Sequence, residues 1–563
     1  MELRDSRRLT GLNLLSGRAG AVAEVRLGPG EDADAIAASW SEAVDELITS
    51  LGWPRVERWS RSWSGGVTLL MDAPLDALYA ATEINEWALA RVRGDAPRLE
   101  DTAEAIRASI AHESNPAMMA LQAAAAERNV PFVWDDDEVS LGMGAKSRTW
   151  EAASLPAPVE VDWEGLEAIP VVYITGTNGK TTSTRMTTRI LQAAGMTPGC
   201  TSSDGVVVSG VEVERGDWTG PGAARRVLRH EDVNVAVLET ARGGILRRGL
   251  VLDTCDAALI TNIASDHLGD YGVLTKEDMA EAKGLVCKAV KPTGRRVLNA
   301  DDPLLVKLGQ AEGAPVTWFT TTPMSAWLEA HVEAGGEAWV LEDGWLSRCR
   351  GGAREKILEA RALPSSYGGT ALHNVANALA AAALCDAIGV DLKAIKTGLM
   401  DFGSELSDNP GRCQLMDHHG VQLLLDFGHN PHGVRAILRM AQGLLADRPE
   451  ARLWVSLGQA GDRGDEDILS LSEAVWEARP DQVSLREVVG YERGRESGEV
   501  TEMMRAKLES LGQPSEALTV HEDEVASIRA ALHWARPGDL VAHLVHLQRD
   551  AVRAALNESP PSA

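Results

Sequence analysis

Seven consecutive residues, Gly176-Thr177-Asn178-Gly179-Lys180-Thr181-Thr182, have the types and spacing to hold phosphate. They follow the apolar run Val171-Val172-Tyr173-Ile174-Thr175 and precede a stretch, 183–194, that reads as a helix ending at Gly195. Strand, tight glycine loop and helix start together form an anion cradle. Backbone N–H groups and the helix N-terminus face anionic oxygens, Lys180 reaches the outer phosphates, and the Thr181 hydroxyl is placed to ligate Mg²⁺. The spacing departs from the general GxxxxGK[ST] pattern, which needs a glycine where Ile174 stands. A chance glycine-rich turn is the competing reading, and it does not account for the flanking strand and helix.

Further candidates sit where strands end. Glu239 closes Val235-Ala236-Val237-Leu238 and leads into Thr240-Ala241-Arg242-Gly243-Gly244. An acid there can share a metal ion with Thr181, although a strand-end acid taken alone reads as a solvated side chain. Asp266 and His267 follow another strand run, 258–262. A neutral imidazole at that edge can ligate a divalent ion, whereas a lone turn histidine is ordinarily structural. Lys283 lies in a helical stretch, where a solvent-facing lysine is the default. Asp426 ends a strand in the last third of the chain and could hydrogen-bond a ribose hydroxyl. Arg412 precedes that strand and could grip a phosphate bidentately. The turn signals Pro410-Gly411 and Asn430-Pro431 give both residues a structural alternative. Gly458-Gln459-Ala460-Gly461-Asp462-Arg463-Gly464-Asp465 is a second glycine-rich loop, and by itself it specifies no ligand.

The elements that must position these residues form three units. Residues 1–150 read as an α+β domain with strands at 20–27 and 66–71 and helices at 32–51, 74–93 and 102–128; a Pro/Ala-rich linker, 152–158, follows. Residues 166–407 alternate strands (171–175, 233–239, 257–261, 296–299) with helices and end in an Ala-rich helix, 372–388. That pattern predicts an α/β fold: a parallel sheet covered on both faces, with its site at the strand C-terminal ends. Residues 408–553 alternate again and predict a smaller Rossmann-like domain.

Composition narrows the function classes. At 563 residues and 44% apolar content the chain can bury several cores. A formal charge of −27 argues against nonspecific nucleic-acid binding. No apolar run approaches the roughly 18 residues of a membrane span, and no apolar stretch follows Met1-Glu2-Leu3-Arg4-Asp5. The six cysteines are scattered without a CxxC pair, as in a reduced cytoplasmic protein. A cytoplasmic location is the expectation.

With these residues in place, the chain resembles the Mur ligase family, and within it the Mur-ligase half of cyanophycin synthetases. The resemblance rests on the loop 176–182 together with Thr201-Ser202-Ser203-Asp204-Gly205, Gly216-Asp217-Trp218-Thr219-Gly220, Leu238-Glu239-Thr240-Ala241-Arg242-Gly243-Gly244-Ile245-Leu246-Arg247, Asp266-His267-Leu268-Gly269 and Leu298-Asn299-Ala300-Asp301-Asp302. It extends to the front of the chain through Leu9-Thr10-Gly11-Leu12-Asn13 and Arg128-Asn129-Val130-Pro131. The chain departs from the synthetases in one respect. Ser140-Leu141-Gly142-Met143-Gly144-Ala145-Lys146-Ser147 is similar to the first strand of their ATP-grasp domain, yet the phosphate loop follows fewer than 35 residues later, too few for that domain.

The resemblance implies an ATP-dependent acid–amino-acid ligase, ADP-forming, that makes an acyl phosphate on a carboxylate and joins it to an amine. It implies ATP phosphates on Lys180, Mg²⁺ on Thr181 and Glu239, and a second Mg²⁺ on His267. Lys283 matches a position that some relatives carbamylate to gain a metal-binding carboxylate. Asn377 matches an adenine-contacting asparagine, and Arg412, Asp426 and His429 match residues that reach ATP when domains close. The implied substrates are an Asp-containing peptide or cyanophycin-like material and an amino acid, by analogy a basic one, and a homo-oligomer is compatible with them. Arg493 and Arg495 are candidates to hold the amino acid's carboxylate, or are surface residues. Two other readings stand beside this one: a polyglutamate-type ligase on another carboxylate, and a non-catalytic ATP-binding partner subunit of a cyanophycin-type synthetase.

Overall fold

The computed structural model describes residues 1–266 and 268–557. Its centre is an eleven-stranded sheet. The strands Pro198–Ser202, Val235–Glu239, Val171–Thr175, Cys255–Ile260, Val290–Asn299, Val316–Thr320 and Glu337–Glu342 lie side by side in parallel. The sequence predicts a parallel sheet, and the seven central strands are one, while both ends turn antiparallel. Gly205–Val208 and Val211–Arg215 extend one edge, and Trp345–Arg350 and Ala353–Glu359 the other. These additions are hairpins, which need only short loops and no crossover helix, so alternation of strand and helix does not reveal them.

Val171–Thr175 sits between Val235–Glu239 and Cys255–Ile260. From it the chain runs first to one side and then to the other, so strand order reverses at this strand and opens a crevice beyond its C-terminal end. Side chains alternate along it. Val172 and Ile174 pack with the helices Lys180–Ala193 and Leu372–Ala387, while Val171 and Tyr173 pack with Met279, Leu285 and Val286 on the opposite face. Small residues let these layers close. Ala378 and residues 380–383 are fully buried alanines, and a Cβ on Gly398 would fall 2.4 Å from Ile190 Cα of the phosphate-loop helix.

The C-terminal six-stranded sheet runs Gln414–His418, Val421–Asp426, Leu540–Leu544, Leu453–Gly458, Gln482–Arg486, Leu518–His521. All neighbours are parallel except the first hairpin. At the front of the chain, Glu2–Leu9, Gly20–Arg26, Gly66–Asp72 and Arg58–Trp63 form an antiparallel sheet, with the helices Ala33–Leu51 and Leu78–Arg93 packed through Trp40, Leu47, Leu69 and Ile84. Each such side chain contributes about 1.5–3 kcal/mol by burial.

Two details at the front differ from expectation. The edge strands Glu2–Leu9 and Arg58–Trp63 carry charged residues and lack an apolar run, so pairing rather than pattern makes them strands. The single helix predicted over 102–128 is two, Leu99–Glu113 and Pro116–Arg128. Asn115 caps the second through Met118 N, and Pro116 occupies its first turn. Between Glu151 and Val171 there is neither helix nor strand.

Candidate active site

The phosphate loop bends where its glycines demand. Gly176 has φ +145° and Gly179 φ +85°, and a Cβ would meet Thr261 Oγ1 at 1.9 Å and Asn377 Oδ1 at 2.3 Å respectively. The helix begins at Lys180, earlier than the 183 the sequence suggests, so Lys180, Thr181 and Thr182 form its first turn. Thr261 Oγ1 donates to Asn178 O at 2.6 Å, Asn262 Nδ2 donates to the same oxygen at 3.0 Å, and Asn178 N donates to Asn262 Oδ1 at 3.0 Å. The neighbouring strand end thus moulds the loop.

Two lysines converge on one carbonyl. Lys180 Nζ donates to Gly176 O and Thr177 O, each at 3.1 Å, and Lys283 Nζ donates to Gly176 O at 2.5 Å. Lys283 is buried, contrary to the solvent-facing default for a helix lysine. Burial, and then the nearby Lys180 charge, hold its amine well below the ordinary lysine range. On the other side of the loop, Thr181 Oγ1 donates to Glu239 Oε1 at 3.2 Å and lies 3.2 Å from Ser203 Oγ. Glu239 Oε2 is buried with no hydrogen-bond partner. Desolvation pushes that carboxyl above its usual range, against the pull of Lys180.

The C-terminal unit closes the crevice. Arg412 Nη2 donates to Ser203 Oγ at 2.8 Å, and its guanidinium lies 5.2 Å from the Phe427 ring centroid. Asp426 accepts from Cys413 N at 2.7 Å and Gly428 N at 2.6 Å; burial raises its carboxyl, and those backbone donors oppose the shift. His429 Nε2 lies 3.4 Å from Asp266 Oδ2. Asn377 accepts from Ser183 Oγ at 3.4 Å beneath the loop. His267 lies outside the described residues.

Thr177, Asn178, Gly179, Lys180, Thr181, Thr182, Glu239, Lys283, Asn377, Arg412, Asp426 and His429 therefore line one cleft of about 2030 Å³; Gly176 presents its carbonyl to both lysines. Sequence reading assigns no role to Ser203, Thr261, Asn262 or Asp204. Asp204 gathers Arg185 at 2.9 Å and both Arg549 Nη atoms at 3.4 Å. Hydroxyls, amides and acids in loops carry no spacing signal that would single them out. Arg495 is a strut rather than a free ligand group: it donates to Gly461 O and Arg463 O, each at 2.9 Å, and pairs with Asp465 and Glu499. Arg493 lines the cleft and pairs with Asp462.

Among the described residues no three His, Cys, Asp or Glu side chains cluster to hold a metal. A single buried carboxylate oxygen without a partner, beside a threonine hydroxyl, does fit a Mg²⁺ ion that takes its remaining ligands from phosphate and water, as Mg²⁺ commonly does. Nor is any helix among them long and apolar enough to cross a membrane.

Residues 174–385 match the Mur ligase middle domain, and residues 411–544 match the Mur ligase glutamate ligase domain. The chain is 37% identical over 374 residues to cyanophycin synthetase from Synechocystis sp., a match that takes in 66% of this chain and 42% of that protein. It is 32% identical over 237 residues to UDP-N-acetylmuramoylalanine–D-glutamate ligase from Nitrosospira multiformis, covering 41% and 43% of the two chains. The crystal structure of a bifunctional folylpolyglutamate synthase/dihydrofolate synthase from Yersinia pestis, complexed with AMPPNP and Mn ion, shares the fold. Its TM-score is 0.50 at 20% identity, over 68% of this chain and 88% of that one. The chain thus spans less than half the length of the cyanophycin synthetase it matches.

Proposed function

The chain belongs to the Mur ligase family, carrying its middle and C-terminal domains, and from that premise we propose that it is an ATP-dependent amide ligase. The observation that carries this reading is the corner where Lys180 and Lys283 meet at Gly176 O while Glu239 Oε2 stands buried and unpartnered beside Thr181.

In this mechanism the loop N–H groups and Lys180 receive the phosphates of ATP. Lys180 exchanges its two carbonyl acceptors for γ-phosphate oxygens, where its charge counts most as negative charge develops. A substrate carboxylate oxygen bonds to the γ-phosphorus, the bond to the bridging oxygen breaks, and ADP leaves. The amine of an amino acid then attacks the acyl-phosphate carbonyl, releasing phosphate and a proton. A divalent ion held by Thr181 and Glu239 would neutralise charge on the phosphate oxygens. Arg412, Asp426 and His429 approach from the C-terminal unit, so closing that unit excludes water from the acyl phosphate. Asn377, packed against the loop, would contact the adenine by likeness to the family.

Lys283 fits a further role. Its buried, depressed amine is neutral in a larger fraction than an exposed lysine, and the neutral amine is the form that adds CO2 to give a carbamate and a proton. As a carbamate it would become a second acid near Gly176.

By likeness to the cyanophycin synthetases, the activated carboxylate belongs to an Asp-containing peptide and the amine to a basic amino acid. The test is a phosphate-release screen that crosses the amino acids with aspartyl and glutamyl peptides, with mass spectrometry of the products. One amide product formed with stoichiometric ADP, and lost in Lys180→Ala, is expected. No product from any pair, with Lys180→Ala indistinguishable from wild type, would sink the reading.

A further inference from the structure

Between the central and C-terminal units the chain runs through a linker, 402–413, fastened along one face of the phosphate-loop helix. Thr182, Arg185 and Arg189 are spaced three and four residues apart on the helix Lys180–Ala193, which puts them on one face. Arg189 donates to Asp401 Oδ2 at 2.8 Å and to Asp408 Oδ1 at 2.5 Å. Asp408 in turn accepts from Gly403 N and Glu405 N at 2.9 and 3.1 Å. Arg185 Nη1 donates to Asn409 Oδ1 at 3.0 Å, and Asn409 Nδ2 donates to Thr182 Oγ1 at 3.2 Å. Asn409 thus grips the last residue of the phosphate loop itself.

The same asparagine opens a tight turn. Arg412 N donates to Asn409 O at 3.2 Å, with Pro410 second in the turn and Gly411 third at φ +70°, the residue types of a type II turn. Asn409 Nδ2 also donates to Arg412 O at 3.3 Å. One residue therefore holds both the N–H and the carbonyl of Arg412. The next N–H, that of Cys413, is held by Asp426 Oδ2 at 2.7 Å. The Arg412 backbone is pinned on both sides, and that fixes where its side chain starts.

The side chain so aimed has a donor to spare. Arg412 Nη2 donates to Ser203 Oγ at 2.8 Å, while Nε is buried with no hydrogen-bond partner. Asp204 lies 3.9 Å from the guanidinium and is shared with Arg185 and Arg549. Ser203 Oγ is also 3.2 Å from Thr181 Oγ1, so the guanidinium ends beside the first turn of the phosphate-loop helix.

We propose that Asn409 is a positioning residue: its side-chain amide grips the phosphate-loop helix and, through the turn it opens, aims Arg412 at the phosphates of the nucleotide. The proposal rests on the ligase reading, through the place of Arg412 in the nucleotide site. A turn tied to Thr182 keeps Arg412 in register with the phosphate loop, so the guanidinium meets phosphate with little further ordering of the chain. The Pro410-Gly411 turn and the role of Arg412 are then parts of one device.

The test is a double-mutant cycle in the full chain, read by isothermal titration with a non-hydrolysable ATP analogue and Mg²⁺. Arg412→Ala and Asn409→Ala should each weaken binding about tenfold or more. The double variant should bind within about twofold of Arg412→Ala, because the second loss leaves nothing to aim. Asn409→Ser, a shorter polar side chain, goes through the same cycle and keeps the test decisive if Asn409→Ala does not fold. Asp401→Asn loosens the linker at Arg189, away from the turn, and should leave affinity unchanged. Losses that multiply in the double variant overturn the proposal, since a purely structural role is independent of Arg412. So does wild-type affinity in a folded Asn409 variant, or an equal loss in Asp401→Asn. Wild-type affinity in Arg412→Ala overturns it too, and leaves the ligase reading to be judged separately by the product screen.

Discussion

Asn178 of the phosphate loop and Asn430 at the head of the helix Pro431–Leu445 exchange side-chain hydrogen bonds. Asn178 Nδ2 donates to Asn430 Oδ1 at 3.1 Å, and Asn430 Nδ2 returns a bond to Asn178 Oδ1 at 3.0 Å. His432 Nδ1 lies 3.0 Å from the same Asn178 nitrogen. The glycine loop proposed to cradle phosphate is thereby tied to the C-terminal unit that carries Arg412 and Asp426.

Breaking that tie should loosen closure without emptying the phosphate site. Asn430 also caps its own helix through Gly433 N, so Asn430→Ala combines two losses, each worth about 1 kcal/mol. Asn178→Ala removes only the tie. The expected outcome is a several-fold rise in KM for ATP in both variants, with a fall in Tm mainly in Asn430→Ala. Steady-state kinetics and thermal melts check it. An unchanged KM in Asn178→Ala would count against the tie's role in closure.

Glu239 buries an unpartnered carboxylate oxygen, which costs stability unless a cation joins it. In metal-free protein Glu239→Gln should raise Tm. In the presence of Mg²⁺ and ATP analogue the wild type should gain Tm and the variant should gain much less. Differential scanning calorimetry with and without EDTA reads both effects. Turnover of Glu239→Gln should fall by about 10²-fold or more and recover in part at high Mg²⁺.

Lys283 gives stability a dependence on pH. Its folded-state amine titrates well below the ordinary value of 10.5, so the unfolded chain binds the proton more tightly between those two points. Stability contributed by this group therefore rises as pH climbs through that window, and the charged amine is a burden below it. The wild type minus Lys283→Met difference in unfolding free energy should increase from neutral pH toward 10.5 in urea titrations made without bicarbonate. If Lys283 is carbamylated, added bicarbonate should raise wild-type turnover and leave Lys283→Met unmoved.

Gly179 is one of two loop positions, with Gly176, where a side chain does not fit. With φ at +85° and Asn377 Oδ1 at 2.3 Å from a built Cβ, Gly179→Ala strains the backbone and displaces the asparagine. A loss of at least about 1 kcal/mol in stability is expected, together with a larger loss of nucleotide affinity. Isothermal titration with an ATP analogue, set against a urea melt, separates the two. Gly195→Ala, also at positive φ but with nothing within 4 Å, should show the stability loss alone.

Much of the fold is legible in local pattern because local physics makes it. The run Val171–Thr175 is apolar on both faces because helices cover both faces of the sheet, and the strands at 421–426 and 540–544 carry the same signature. The break at Asn115-Pro116 is written in the sequence as a cap and a proline, but helical pattern on both sides hides it. Glu2–Leu9 and Arg58–Trp63 show no such pattern, since an edge strand is made by its partner's backbone. The site is legible where one motif spans it. It is illegible where a loop hydroxyl such as Ser203 touches both Thr181 and Arg412, because nothing in its neighbours marks it.

The sequence by itself determined the phosphate loop, the strand ends that surround it and the alternation that builds a sheet beneath it. All of these depend on residues near one another in the chain. Only the tertiary structure decided that Glu239, 58 residues beyond Thr181, meets its hydroxyl, and that Lys283, 107 residues beyond Gly176, turns inward to its carbonyl. Those meetings depend on which strand lies beside which and on what the packed helices exclude from water. A glutamate at a strand end is ordinary until burial leaves one oxygen without a partner, and a lysine on a helix is ordinary until the helix buries it.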